Sequence, residues 1–87
     1  MNKVYLGLGS NVDAQNHLRN ALDELRLNFS SLDISPVYES EAVGFVGDNF
    51  LNLVVGIETD FSVRDLSRIF RKIEDNNGRC RMSPRYS

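Results

Sequence analysis

Tryptophan is absent from this 87-residue chain, and cysteine and histidine occur once each. A lone cysteine, Cys80, excludes an intrachain disulfide, so the chain is not a disulfide-stapled scaffold, and a reducing, cytoplasmic compartment is expected. The only histidine, His17, has no partner group at useful spacing, which favours a surface role over a catalytic one. No apolar run approaches the roughly 18 residues needed to cross a bilayer, so no membrane partner is expected. The opening Met1-Asn2-Lys3 does not read as a secretory leader. With 41% hydrophobic and 25% charged residues, the composition predicts one small globular domain over residues 1–87.

Charge of either sign is modest in total but unevenly placed. Residues 1–63 hold three basic and nine acidic side chains, a local charge of −6, whereas residues 64–87 hold seven basic ones against Asp65, Glu74 and Asp75, a local charge of +4. The C-terminal third therefore attracts anions.

The chain organises around Lys3 to Leu8 and the turn Gly9-Ser10-Asn11. Val4, Tyr5, Leu6 and Leu8 form a nearly continuous apolar run, which predicts a central strand covered on both faces. Gly7 and Gly9 allow close approach of backbone or ligand, and Asn11 or Asp13 offers a side-chain cap for the helix that follows. A dinucleotide-binding turn is not complete here, because Val12 stands where the third glycine is required. From Asp13 to about Leu27, Leu18, Ala21, Leu22 and Leu25 recur at i, i+3, i+4 and i+7, the stripe of an amphipathic helix. Its outer face, with His17, Arg19, Asp23, Glu24 and Arg26, is expected to be ordinarily solvated.

Leu32, Ile34 and Tyr38 suggest a second strand, which Pro36 consigns to the sheet edge. A long connection follows from Glu39 to Asp48, a length uncommon in compact domains without a function. Between Asn49 and Glu58 the period of two is clear: Leu51, Leu53, Val55 and Ile57 share the core face, and Phe50, Asn52 and Val54 share the other. That second face places a ring beside a carboxamide. The pair suits stacking and hydrogen bonding to a flat heterocycle, and equally suits a phenylalanine packed under a loop beside an asparagine that ties down backbone. Ser62 begins the second helix, with Asp65 at its positive end and Leu66, Ile69, Phe70 and Ile73 as its stripe. Gly78 is available for a left-handed cap. Residues 79–87 read as a flexible basic segment without regular period, in which Cys80, flanked by Arg79 and Arg81, has a thiol open to acidification but no adjacent base.

The order is β-α-β-β-α, an α/β (α+β) ferredoxin-like unit that is incomplete, lacking the last strand. Without that strand the edge of residues 3–8 lies open, and a homodimer through this edge is expected. A non-catalytic ferredoxin-like module binding RNA or a protein is the alternative. It finds only Tyr5 and Phe50 as candidate stacking residues and no basic-glycine-aromatic signature, so nucleic acid is not an expected partner.

Four segments occur in order: Tyr5-Leu6-Gly7-Leu8-Gly9-Ser10-Asn11, Ser35-Pro36-Val37-Tyr38-Glu39-Ser40, Asn49-Phe50-Leu51-Asn52, and Ile73-Glu74 with Gly78-Arg79-Cys80-Arg81. Together they resemble the N-terminal half of the 6-hydroxymethyl-7,8-dihydropterin pyrophosphokinases of folate biosynthesis, which transfer pyrophosphate from the co-substrate ATP to the pterin hydroxymethyl group and release AMP. The resemblance implies a pterin pocket walled by Ser40, Val43 and Gly44, with Asn52 reading the amide edge of the pterin. Phe50 stands where a tyrosine is common, which keeps the ring and loses a phenolic hydrogen bond. It further implies nucleotide contacts from Glu74, from Arg71 at a position often occupied by glutamine, and from Arg85 and Tyr86. Arg79 and Arg81 match catalytic-loop arginines that grip phosphate oxygens. The family continues with an Asp-Leu-Asp step whose carboxylates hold two Mg2+ ions, and no equivalent occurs in this sequence. Metal ligands are therefore absent, since Glu41, Asp48, Glu74 and Asp75 are not paired one residue apart on a strand. The resemblance thus predicts a portion of the enzyme that is inactive alone.

Overall fold

A computed structural model describes residues 2–41, 49–78 and 80–86, with backbone only for Asn2 and Tyr86. The elements are β1 (Asn2–Ser10), α1 (Ala14–Asn28), β2 (Leu32–Ile34), β3 (Tyr38–Ser40), β4 (Phe50–Thr59), α2 (Val63–Asn76) and β5 (Cys80–Tyr86). All strand pairs are antiparallel, in the order β2-β4-β1-β5, with β3 also paired to β4. This is the ferredoxin-like arrangement: one sheet with two helices packed on one side. Neither helix is long and apolar enough to cross a membrane.

The core lies between the helices and one face of the sheet. Val4, Leu6 and Leu8 of β1 meet Leu53, Val55 and Ile57 of β4, and Leu18, Ala21 and Leu25 of α1 close over them with Leu66, Phe70 and Ile73 of α2. Phe29 joins the layers at one end, its ring 5.9 Å from Phe61 edge-on and 6.2 Å from Phe70. The two helical stripes and the alternation of β4 behave as their spacings require.

Four local expectations are revised. β1 is covered on one face only: Tyr5 is 48% exposed and shares its side of the strand with Gly7 and Gly9. An apolar run interrupted by glycine does not distinguish a two-sided strand from one that leaves a shallow trough. At the start of α1, Asp13 adopts a left-handed backbone (φ 47°) and makes no side-chain cap, its carboxylate instead accepting from Asn16 Nδ2 at 3.0 and 3.2 Å. At the end of α2 the buried side chain of Asn77, rather than a left-handed Gly78, satisfies the carbonyl of Ile73 at 3.0 Å. Glu24 is not simply solvated, since its carboxylate receives the side-chain amides of Asn76 and Asn77 and ties α1 to the end of α2.

The largest correction concerns the C-terminal segment. Residues 80–86 form β5, registered against β1 from Ser10↔Cys80 to Val4↔Tyr86. The last strand of the ferredoxin-like unit is thus present, and β1 is bonded on both sides. Pairing of two first strands across a dimer is not available in this arrangement. The physical reason is legible afterwards: Cys80 and Met82 turn to the core while Arg81 and Ser83 face water, a period of two that holds over the first half of the strand before Pro84 and Arg85 are both exposed. An unpaired central strand is a strong template, and the nearest segment with that alternation fills it. α2 fastens the new strand, the carboxylate of Glu74 accepting the Met82 N–H at 2.8 Å.

Candidate functional site

The helix-free face of the sheet carries the site. Register sets the rows: Asn52 of β4 stands beside Gly9 of β1, which stands beside Arg81 of β5, while Tyr38 of β3 flanks Asn52 on its other side. In the next row Gly7 lies between Val54 and Ser83. Because neither glycine carries a Cβ, the middle strand forms a floor and its neighbours form walls. A cavity of about 300 Å³ results, lined by Gly7, Gly9, Tyr38, Phe50, Asn52, Arg81 and Ser83.

Asn52 is fixed before any ligand arrives. Its Nδ2 donates to Ser40 Oγ at 2.8 Å and lies 3.5 Å from the carbonyls of Tyr38 and Phe50. Carbonyls only accept, which assigns the amino end of the carboxamide to the β3 side and turns Oδ1 towards Gly9. The acceptor oxygen therefore faces the cavity floor. β3 is set at the right height by the break at Ser35-Pro36: Ser35 N–H donates to Val54 O at 2.9 Å, and Ser35 Oγ accepts the Val54 N–H at 2.8 Å. Pro36 has no N–H to give the ladder, and at this break the Ser35 hydroxyl stands in for a backbone carbonyl as acceptor of the Val54 N–H.

Across the cavity the guanidinium of Arg81 is exposed and forms no ion pair among the described residues. No carboxylate is among the described lining residues either. The site thus combines, among the described residues, one carboxamide acceptor, two aromatic rings and a guanidinium without an ion pair, a set suited to a flat heterocycle with an anionic substituent. At the far end of the same face, Lys3 pairs with Asp33 at 3.1 Å and lies 3.9 Å from Glu58, and the bond to Asp33 pushes its ammonium pKa up.

Of the residues singled out in the sequence, Ser40, Phe50, Asn52 and Arg81 come together. Arg85 is exposed on the same face as Arg81, further along β5 and beside Tyr5, but does not line the cavity. Arg71 is elsewhere, on the outer side of α2 in a groove of about 400 Å³ with Arg64, Arg68 and Lys72. Glu74 is half-buried at the Met82 amide. Val43, Gly44 and Arg79 lie outside the described residues, as does the side chain of Tyr86. Tyr38 and Ser83 line the cavity and escaped the sequence reading. Tyr38 shares its strand face with Ser40, which the alternation could have revealed, and Gly7 and Gly9 had been noted for close approach of backbone or ligand without a partner being named. Cys80 is not activated: burial first, and the carboxylate of Glu74 second, push its thiol up to about 11. Among the described residues, no three His, Cys, Asp or Glu side chains are grouped as a metal cage.

Comparison with known proteins places this geometry in context. A family model described as 7,8-dihydro-6-hydroxymethylpterin-pyrophosphokinase matches residues 5–86. The chain is 41% identical over 81 residues to 2-amino-4-hydroxy-6-hydroxymethyldihydropteridine pyrophosphokinase of Aquifex aeolicus, covering 91% of the chain and 51% of that protein. It is 33% identical over 84 residues to the Bacillus subtilis protein of the same name, covering 92% and 50%. The chain thus spans about half the length of these curated relatives. Among solved structures, the C-terminal domain of MgtC from Mycobacterium tuberculosis superposes with a TM-score of 0.61 at 9% identity, covering all of this chain and 88% of that one. An ACT domain protein from Streptococcus pneumoniae superposes at 0.55 and 11%, covering 98% and 89%. At those identities the likeness concerns the fold alone.

Proposed function

Because the chain belongs to the 7,8-dihydro-6-hydroxymethylpterin-pyrophosphokinase family, we propose that its open sheet face is the pterin-side wall of a site that transfers pyrophosphate from ATP to 6-hydroxymethyl-7,8-dihydropterin in folate biosynthesis. In that reaction the hydroxymethyl oxygen attacks the β-phosphorus of ATP, the bond from that phosphorus to the α-phosphate oxygen breaks, AMP leaves and the hydroxyl proton is lost.

The observation that carries this reading is the shared cavity of Asn52, Phe50 and Arg81 over a glycine floor. Adjacent strands lie about 4.8 Å apart, so the backbones of Asn52 and Arg81, one strand either side of Gly9, stand about 10 Å apart. A bicyclic ring system fits that span. Asn52 Oδ1 accepts from the N–H donors of the pterin amide edge, the rings of Phe50 and Tyr38 cover apolar area, and the guanidinium of Arg81 meets phosphate oxygens in pairs. Ser40 supports Asn52 through its hydroxyl. Within the same reading, Val43 and Gly44 belong to the pterin wall, and Arg71, Glu74, Arg79, Arg85 and Tyr86 to the nucleotide side.

Phosphoryl transfer in this family is expected to use Mg2+. Among the described residues no three His, Cys, Asp or Glu side chains are grouped to hold a cation. This chain alone is accordingly proposed to bind rather than to turn over.

Isothermal titration of the 87-residue chain with the pterin tests the binding half. Saturable binding, weakened at least about tenfold in Asn52→Ala, is expected. Absence of binding, or equal affinity in that variant, overturns the assignment. A coupled assay for AMP release with ATP, Mg2+ and pterin tests the other half, and turnover comparable with a full-length relative would contradict it.

A further inference from the structure

We infer that Gly9 is a positioning residue for Asn52: its missing side chain is the space that holds the carboxamide in its ligand-reading orientation. The inference rests on the pterin reading for its consequence but not for its geometry. A Cβ built on Gly9 would lie 2.9 Å from Asn52 Oδ1 and 3.9 Å from Asn52 Cγ, with the nearest backbone atom, Leu51 O, also at 3.9 Å. The first distance is shorter than real Cβ contacts; the others are ordinary. Since Gly9 does not adopt a left-handed backbone, alanine is barred by this one side-chain atom and not by φ.

The obstacle is the far end of a side chain, so the fold can give way where the site cannot. To clear a methyl at Gly9, the Asn52 amide must rotate, and rotation moves Nδ2 off Ser40 Oγ, now at 2.8 Å. Both ends of the carboxamide are therefore held at once, one by a hydroxyl on β3 and the other by an absent methyl on β1. Gly7 supplies the comparison. A Cβ there meets only Ser83 O at 3.7 Å and Ser83 Cβ at 3.8 Å, ordinary contact that leaves Asn52 alone. The two glycines thus share a floor but act differently, since Gly7 leaves room whereas Gly9 sets an orientation.

The experiment follows the Asn52 side-chain NH2 signals in two-dimensional amide NMR, identified by their loss in Asn52→Ala. Gly9→Ala is expected to displace these signals, as Ser40→Ala does, while Gly7→Ala leaves them in place. Unmoved signals in a folded Gly9→Ala protein overturn the inference. Should Gly9→Ala not fold, the double variant Gly9→Ala/Asn52→Ala must fold, because the one close contact among the described residues is gone; a double variant that remains unfolded overturns it equally. Pterin titration adds a functional readout. Gly9→Ala is expected to weaken binding at least about tenfold on its own but less than about twofold in an Asn52→Ala background, since both substitutions remove the same contact. Full additivity contradicts the positioning role. A wild-type chain that binds no pterin sinks the proposed function and leaves the amide signals to decide the role of Gly9.

Discussion

Replacing Glu74 separates a structural role from a nucleotide-binding one. Its carboxylate accepts the Met82 N–H at 2.8 Å, and Met82 is 8% exposed in the core edge beneath β5. A hydrogen bond to a charged group contributes about 1.5–3 kcal/mol, and a buried amide left without a partner costs a similar amount. Glu74→Ala should therefore lose about 2 kcal/mol, which for a domain of this size lowers Tm by about 8–16 °C. Glu74→Gln keeps an oxygen at the same place and should lose about half as much. Thermal unfolding followed by circular dichroism gives the shift, and hydrogen exchange gives its location: the Met82 amide should lose protection before the β1–β4 pairs do. If Glu74→Ala melts within about 2 °C of the wild type with Met82 exchange unchanged, Glu74 does not fasten β5. Its main contribution would then lie elsewhere.

Other perturbations address other parts of the structure. The Cys80 thiol is raised from 9.0 to about 11, so the folded state resists ionisation that the unfolded chain accepts. Stability should be unaffected by this group below pH 9 and should fall between about pH 9 and 11, a decline that urea midpoints should show more steeply in the wild type than in Cys80→Ala. Ser62→Ala removes the N-cap of α2, whose hydroxyl accepts the Asp65 N–H at 3.2 Å, and should cost about 1 kcal/mol in chemical denaturation. Arg81→Ala should leave stability within about 0.5 kcal/mol, because the side chain is exposed and unpaired among the described residues, while weakening ATP binding measured by titration. A loss of stability without loss of affinity would assign Arg81 to the fold instead.

Much of this arrangement is local and was therefore legible in the residues. The i, i+3, i+4 stripes of Leu18–Leu25 and Leu66–Ile73 specify helices, the alternation Leu51–Ile57 specifies a one-sided strand, and Pro36 marks the edge. Phe50 and Asn52 could be set on one face together because a period of two leaves no choice. What was not legible depends on distant partners or on backbone geometry. Residues 80–86 carry a proline and two arginines and read as coil until β1 is known to need a neighbour. The Glu24 tether to residues 76 and 77 joins positions that no window of sequence contains, whereas the left-handed Asp13 with its Asn16 partner and the Glu74 bond to Met82 are near in the chain but depend on backbone geometry that residue types alone do not specify. Gly9 shows the same limit at the site: its freedom is visible in the sequence, but the atom that needs the space belongs to β4.

The central claim is that the open sheet face, and not the cationic outer side of α2, receives the pterin. Backbone amide NMR during titration with 6-hydroxymethyl-7,8-dihydropterin tests it most directly. Shifts concentrated at Gly7, Gly9, Phe50, Asn52 and Arg81, with Arg64, Arg68 and Lys72 unmoved, are the predicted result. A spectrum that does not change, or changes only along α2, would contradict it.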